Sequence, residues 1–269
     1  MRDVLVLGST GNTGGRVLRQ LRDRGVPTRA ATRRPTEPGQ VRFDWADRTT
    51  HAEALDGVGA VYLVAPIGVA EPRALVEPFL AAAPDARVVL LSSSPVEDTT
   101  PGLGELHGLV KGQPGWAVLR PSWFMQNFTG DHLVAQSSRD GEIVTATGDA
   151  RVGFVDATDI ATVAVRALTD DEPHNTEHVL TGPSVLSYAE AAAIVAERLG
   201  RPVTHRAVSS AELEARHTAA GIPAEFAAVL AAMDDAIREG SEDRVTDTVE
   251  RVTGRPARDF RTFANEEIR

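Results

Sequence analysis

Near the start of the chain, Gly8-Ser9-Thr10-Gly11-Asn12-Thr13-Gly14 sets three glycines three residues apart. Glycine is needed where backbone turns sharply and a charged ligand must approach bare peptide. An apolar run, Asp3-Val4-Leu5-Val6-Leu7, leads into this turn, and a helical pattern over 15–24 follows it, with Val17, Leu18 and Leu21 on one face. A strand that breaks into a helix in this way offers free N–H donors and the positive end of the helix dipole to a phosphate. In that context the glycines predict a site for the pyrophosphate of a dinucleotide.

The second feature able to do chemistry ends the next strand, 28–32, in Arg33-Arg34-Pro35. A chain that grips the ribose 2′-hydroxyl of NAD places an acid roughly 20 residues after the glycines, and none stands here. The planar fork of arginine suits a phosphate dianion instead. The expected cofactor is therefore NADP(H), with Arg33 as the main contact to its 2′-phosphate and Arg34 as partner. Two solvated arginines at a strand end are the alternative.

A third pair concerns proton transfer. The chain has two tyrosines, Tyr62 and Tyr188, and neither stands four residues before a lysine. The Tyr-x-x-x-Lys arrangement, in which an ammonium lowers the pKa of a phenol, is thus absent. His107 and Lys111 keep the spacing, and residues four apart share a helical face. His107 as proton donor and Lys111 as a contact to the cofactor ribose are the functional reading. A histidine and a lysine on an exposed helix end are the alternative, with Gly108 and Gly112 weakening that helix. The other histidines show no metal-ligand spacing, and no metal is expected.

The elements that must position these groups alternate through the first two thirds. Strands are expected at 3–7, 28–32, 41–43, 60–64, 87–91, 116–119, about 142–147 and about 177–181. Helices are expected near 15–24, 49–56, 71–83, 104–112 and 158–169. Several strands are continuous apolar runs, as in a sheet covered on both faces. The fold class is α/β: a doubly wound, mostly parallel Rossmann sheet with a smaller, mainly helical region. The division expected is 1–178 for the NADP-binding domain and 179–269 for a substrate-side region over the carboxyl edge of the sheet, where ligands of open α/β sheets bind. Ser187-Tyr188-Ala189-Glu190 and Ser209-Ser210-Ala211-Glu212 both fit a capping box, the first opening a helix that stops at Gly200. Asp156 and Asp159 are expected to cap the helix that begins near Ile160.

Composition sets limits. The chain has 269 residues, 42% of them apolar, a net charge of −10 and no cysteine. Disulfides and thiolate chemistry are excluded, and a cytoplasmic location is expected from the lack of cysteine and of a leader segment. The acidic charge argues against nonspecific nucleic-acid binding, and no apolar stretch has membrane-spanning length.

Together these residues resemble the NmrA-like branch of the atypical short-chain dehydrogenase/reductases, which includes NADPH-dependent quinone reductases and reductases similar to festuclavine dehydrogenase. The resemblance rests on the glycine motif, Arg33, Phe43-Asp44-Trp45, Gly153-Phe154-Val155-Asp156-Ala157-Thr158-Asp159-Ile160-Ala161 and Leu199-Gly200-Arg201-Pro202-Val203. Its most specific part is Leu119-Arg120-Pro121-Ser122-Trp123-Phe124-Met125-Gln126-Asn127-Phe128. It implies that Gly8, Thr10, Gly11, Asn12, Thr13 and Gly14 hold the pyrophosphate, that Asp44 and Trp45 border the adenine, and that Val64, Ala65 and Pro66 lie against the ribose. It places Ser92, Ser93, Pro121, Ser122, Trp123 and Phe124 on the nicotinamide side, and Met125, Asn127 and Phe128 against substrate. Ordinary core is the alternative for Trp123, Phe124, Met125 and Phe128.

The function expected is NADPH-dependent reduction of a small, largely apolar molecule: an iminium ion, quinone, activated olefin or ketone. A non-catalytic NADP(H) sensor and a non-redox biosynthetic enzyme are the alternatives, and a monomer and a dimer are equally compatible.

Overall fold

Apolar runs separated by helical segments become a seven-stranded parallel sheet in the computed structural model, which describes residues 2–66, 68–69 and 71–269. β1 (Asp3–Val6) passes through the glycine turn into α1 (Asn12–Asp23), followed by β2 (Thr28–Thr32), β3 (Gln40–Arg42), α2 (His51–Leu55) and β4 (Val58–Val64). Next come α3 (Arg73–Ala81), β5 (Arg87–Leu91), α4 (Glu105–Lys111), β6 (Trp116–Pro121), α5 (Leu133–Arg139), β7 (Glu142–Thr145) and β8 (Arg151–Val152). Then follow α6 (Ala157–Thr169), β9 (Thr176–Leu180), β10 (Leu186–Ser187), α7 (Tyr188–Leu199) and β11 (Thr204–Ala207). The chain ends with α8 (Ser210–Ala219), α9 (Ala224–Arg238), α10 (Thr248–Thr253) and α11 (Phe260–Glu267).

These elements form two units interleaved in sequence. The first holds the residues up to Pro121, Ala157–Leu180 and Thr248–Arg255; the second holds Ser122–Asp156, Thr181–Asp247 and Pro256–Arg269. The single boundary expected after residue 178 falls inside β9 and does not coincide with this division.

In the first unit the strand order is β3-β2-β1-β4-β5-β6-β9, every pair parallel. The order reverses between β1 and β4, so the turn after β1 opens onto a topological switch point. Alternate residues of each strand serve opposite faces. Leu5, Leu7, Val61, Leu63, Val88 and Leu90 pack with Val76, Phe79, Leu106 and Val110 of α3 and α4. Helices α1 and α6 lie against each other, with α6 also against β4, β5 and β6. Val17 and Leu21 of α1 and Ile160 and Ala164 of α6 are fully buried, each large apolar side chain contributing about 1.5–3 kcal/mol.

One expected strand falls elsewhere. Residues near 142–147 form β7 only as far as Thr145, outside the seven-stranded sheet, pairing in parallel with β11 in the second unit. Both capping predictions are met in part or whole. Ser187 accepts from the Glu190 N–H while Glu190 reaches back to the Ser187 N–H, and α7 ends at Gly200 with φ 65°. Ser209 accepts from Glu212 N–H, but the Glu212 carboxylate pairs with Arg206 and Arg216 instead of closing the box. The helix expected near Ile160 begins at Ala157, and Asp156, fully buried, accepts from Arg258 and Gln126.

Candidate functional site

The glycine turn follows from its backbone. Gly8 takes φ 61°, and its carbonyl accepts from the Gly11 N–H at 2.9 Å. A Cβ on Gly14 would lie 2.2 Å from that same carbonyl oxygen, so α1 can start against the turn only because residue 14 has no side chain. Ser9 Oγ donates to Ala31 O at 2.7 Å and ties the turn to β2. At the helix end, the capping position is Gly11, no side chain caps it, and the first turn holds no acid. The first N–H groups of α1 therefore have neither an intrahelical nor a side-chain acceptor, and Gly8, Thr10, Gly11 and Asn12 are exposed while Thr13 and Gly14 are buried. This is the donor set a pyrophosphate needs.

The other expected cofactor residues flank this turn. Arg33 and Arg34, just past β2, are exposed, and neither forms an ion pair among the described residues. Asp44 accepts from the Ala46 N–H at 3.0 Å, which shapes the loop after β3. Trp45 stands half-buried and edge-on to Phe43 and Phe79. Val64 ends β4 beside Gly8, within 3.3 Å of where a Gly8 Cβ would be, and Ala65 and Pro66 follow, partly exposed. Tyr62, inside β4, is fully buried, and burial pushes its phenol far above the ordinary value.

His107 and Lys111 do share a helical face, but the structure corrects what that face meets. His107 is 0% exposed. Its Nε2 lies 2.8 Å from Ser92 Oγ and its Nδ1 3.1 Å from Asp98 Oδ1. An imidazole so enclosed does not itself touch a substrate. Lys111 is held by Asp98 and Glu177, at 2.7 Å each, and lies over the Trp116 ring, so its ammonium is committed to carboxylates and not left for ribose hydroxyls. Arg120 extends the cluster, donating to Glu177, to Glu97 and to Ser94 O. Burial works against the Lys111 ammonium, yet the hydrogen bonds it donates to Asp98 and Glu177 outweigh that and raise its pKa. Glu177 behaves as the mirror image: burial opposes its charge, while Lys111 and Arg120 hold its carboxyl below the usual range. The hydrogen bond from Lys111 does the same for Asp98. Ser92, nearly buried, follows β5 at the carboxyl edge, with the partly exposed Ser93 next to it.

The 119–128 block separates into distinct parts. Pro121 closes β6 and accepts from the Ser94 N–H. In the second unit Ser122 Oγ donates to the fully buried Glu242 at 2.6 Å, and Phe124 bridges to Val155. Met125 and Phe128 are 1% and 2% exposed within a cluster that includes Phe154, Tyr188 and Phe260. Their expected substrate contact is thus corrected to core packing, because a 3-10 turn over Met125–Phe128 directs both side chains inward. Trp123 and Asn127 instead line a cavity of about 470 Å³ in the second unit, together with Tyr188, Leu213, Met233 and Asp234. Burial pushes the Asp234 carboxyl up to about 6, although it accepts from the Ala146 N–H. Sequence reasoning missed Tyr188 and Asp234. Tyr188 follows a capping serine, and Asp234 sits in an alanine-rich helix, so neither carried a local mark.

Among the described residues no helix is long and apolar enough to cross a membrane. No protein-family profile matches the chain. It is 45% identical over 267 residues to the uncharacterized oxidoreductase YesF of Bacillus subtilis (strain 168), covering 97% of this chain and 93% of that one. It is 34% identical over 280 residues to festuclavine synthase I of Penicillium roqueforti (strain FM164), covering 98% of each. Among solved structures, the triphenylmethane reductase of Citrobacter sp. complexed with NADP(H) superimposes with a TM-score of 0.81 at 22% identity, covering 98% of this chain and 99% of that one.

Proposed function

The chain belongs to the NmrA-like branch of the atypical short-chain dehydrogenase/reductases and is an NAD(P)H-dependent oxidoreductase; on that premise we propose that it uses NADPH to reduce a small, largely apolar organic molecule. The observation that carries the reading is the start of α1, uncapped and free of acid, pressed against the Gly8 turn at the switch point of the sheet. Those features fit a dinucleotide pyrophosphate, and the exposed Arg33 and Arg34 fit an additional 2′-phosphate. When bound, the nicotinamide supplies a hydride; the chain supplies position and surroundings.

In this reading the N–H groups at 12–14 and the backbone of Thr10 and Gly11 hold the pyrophosphate. Arg33, with Arg34, holds the 2′-phosphate. Asp44 and Trp45 border the adenine, and Val64, Ala65 and Pro66 lie along the ribose. Ser92, Ser93, Pro121, Ser122, Trp123 and Phe124 belong to the nicotinamide side. The 470 Å³ cavity, with Trp123, Leu213 and Met233 in its wall, is of the size and apolar character of a small-molecule site. With no Tyr-x-x-x-Lys pair, electrophiles that need little proton help are favoured, iminium ions and quinones first and activated olefins next.

The test is to mix the protein with NADPH and a panel of cyclic imines, quinones, enones and azo compounds and to follow the loss of reduced-nicotinamide absorbance. Turnover of at least one class is expected. No turnover across the panel, with tight binding of both NADPH and NADP, would replace the reductase by a sensor of the cofactor's redox state.

A further inference from the structure

We propose that Ser92, His107 and Asp98 form a proton relay in which the Ser92 hydroxyl hands a proton to the reduced substrate; this rests on the reductase reading above. Three observations carry it. Ser92 stands at the carboxyl end of β5, the edge at which open α/β sheets hold their ligands, and keeps 7% exposure. Behind it the imidazole is fully enclosed, with one ring nitrogen on the serine and the other on a carboxylate. That carboxylate is itself fixed by the Lys111 ammonium on both oxygens. A buried imidazole with a hydroxyl on one side and a clamped acid on the other has its orientation and its Nδ1 proton set.

Hydride addition to a C=C, C=O or N=N bond leaves the displaced electron pair on the neighbouring atom as a basic anion. That atom takes the proton of Ser92 Oγ, and Oγ takes the proton of His107 Nε2 as its own O–H bond breaks. His107 passes from imidazolium to neutral imidazole and keeps Nδ1–H on Asp98. A water proton entering through Ser92 after product leaves restores the ring. The charged groups around the imidazole are Glu97 and Asp98 on the loop after β5, Lys111 on α4, Arg120 on β6 and Glu177 on β9, whose Oε1 is 4.0 Å from Nδ1. Three carboxylates stand against two permanent cations there, so a proton on the imidazole leaves the cluster neutral. In this scheme Ser92 is the catalytic residue, and His107 and Asp98 act through it.

An iminium ion becomes a neutral amine on gaining hydride and takes no proton, whereas an enone or azo compound must take one. That difference is the test. Ser92→Ala should lower kcat on enones or azo compounds about 100-fold, the scale of general acid catalysis. At saturating NADPH the loss on iminium ions should be at least about tenfold smaller, and Ser92→Thr should recover most of that difference. Asp98→Asn, at a side chain 54% exposed, should lower the same rates about tenfold and alter the pH–rate profile. In the cofactor-free protein, imidazole 15N resonances assigned through His107→Gln should show the proton on Nδ1, facing Asp98, a preference lost in Asp98→Asn. Equal losses on iminium and azo substrates, or no loss on either, overturn the relay. Wild-type inactivity on the whole panel overturns the reductase reading instead, and the 15N result then stands apart from it.

Discussion

Replacing Gly14 by alanine tests how the start of α1 is built. The added Cβ would meet Gly8 O at 2.2 Å, Gly8 C at 2.6 Å and Leu7 O at 3.0 Å. All three are backbone atoms of β1 and its turn, so none can swing aside. Relief requires the helix to move by roughly 1 Å, the shortfall from ordinary contact distance. Overpacking of this kind costs about 1–3 kcal/mol, which for a chain of this length lowers Tm by roughly 2–5 °C. The effect on binding should be larger. Hydrogen bonds to phosphate tolerate only a few tenths of an ångström, and each charge-assisted one contributes about 1.5–3 kcal/mol. A 1 Å shift that breaks one or two of them should weaken NADPH by about tenfold or more. Gly15→Ala is the control: its Cβ would meet only Ser9 O, at 3.3 Å, and alanine inside a helix is favoured by up to about 1 kcal/mol. Fluorescence titration with NADPH and thermal melts of both variants give the comparison. If Gly14→Ala binds NADPH as tightly as Gly15→Ala and melts with it, the close approach of α1 to the turn does not shape the phosphate site.

Two further outcomes follow from the same geometry. Arg33→Ala should weaken NADPH by about 1.5–3 kcal/mol, the scale of a charged hydrogen bond, with NADH nearly unchanged; equal losses for both would discard the 2′-phosphate assignment. The pH dependence of stability should carry a contribution from His178, which is 2% exposed and which burial pushes down to about 4 from an ordinary 6.5. Because the unfolded chain binds the proton more readily between those values, this contribution is complete above pH 6.5 and is lost as pH falls toward 4. It amounts to about 2 kcal/mol by pH 5. Urea denaturation at pH 7 and pH 5 should show His178→Gln losing less than the wild type, and an identical loss would remove His178 as the source.

Much of the first unit was legible because its signals are local. A continuous apolar run needs two covered faces wherever it occurs, and glycines at a strand–helix junction mark close approach whatever lies beyond. The Ser187–Glu190 box and the Gly200 stop are legible for the same reason: each is satisfied within four residues of itself. The 119–128 block was harder to read. Its aromatics suited pocket and core equally, and a 3-10 turn divided them, sending Met125 and Phe128 inward and leaving Trp123 and Asn127 on the cavity.

By itself the sequence determined the parallel α/β class, the glycine turn after β1, the arginines after β2, and the absence of a tyrosine–lysine pair, all of which depend on residues close together along the chain. Only the tertiary structure decided that residues 122–156 pack with 181–247, that β7 leaves the main sheet for β11, and that His107 faces Ser92 and Asp98 with Glu177 close by. Asp98 and Glu177 read as two solvated acids in isolation. The fold brings them to one lysine from separate elements, and contacts between segments far apart in sequence leave no periodicity by which either could be found beforehand.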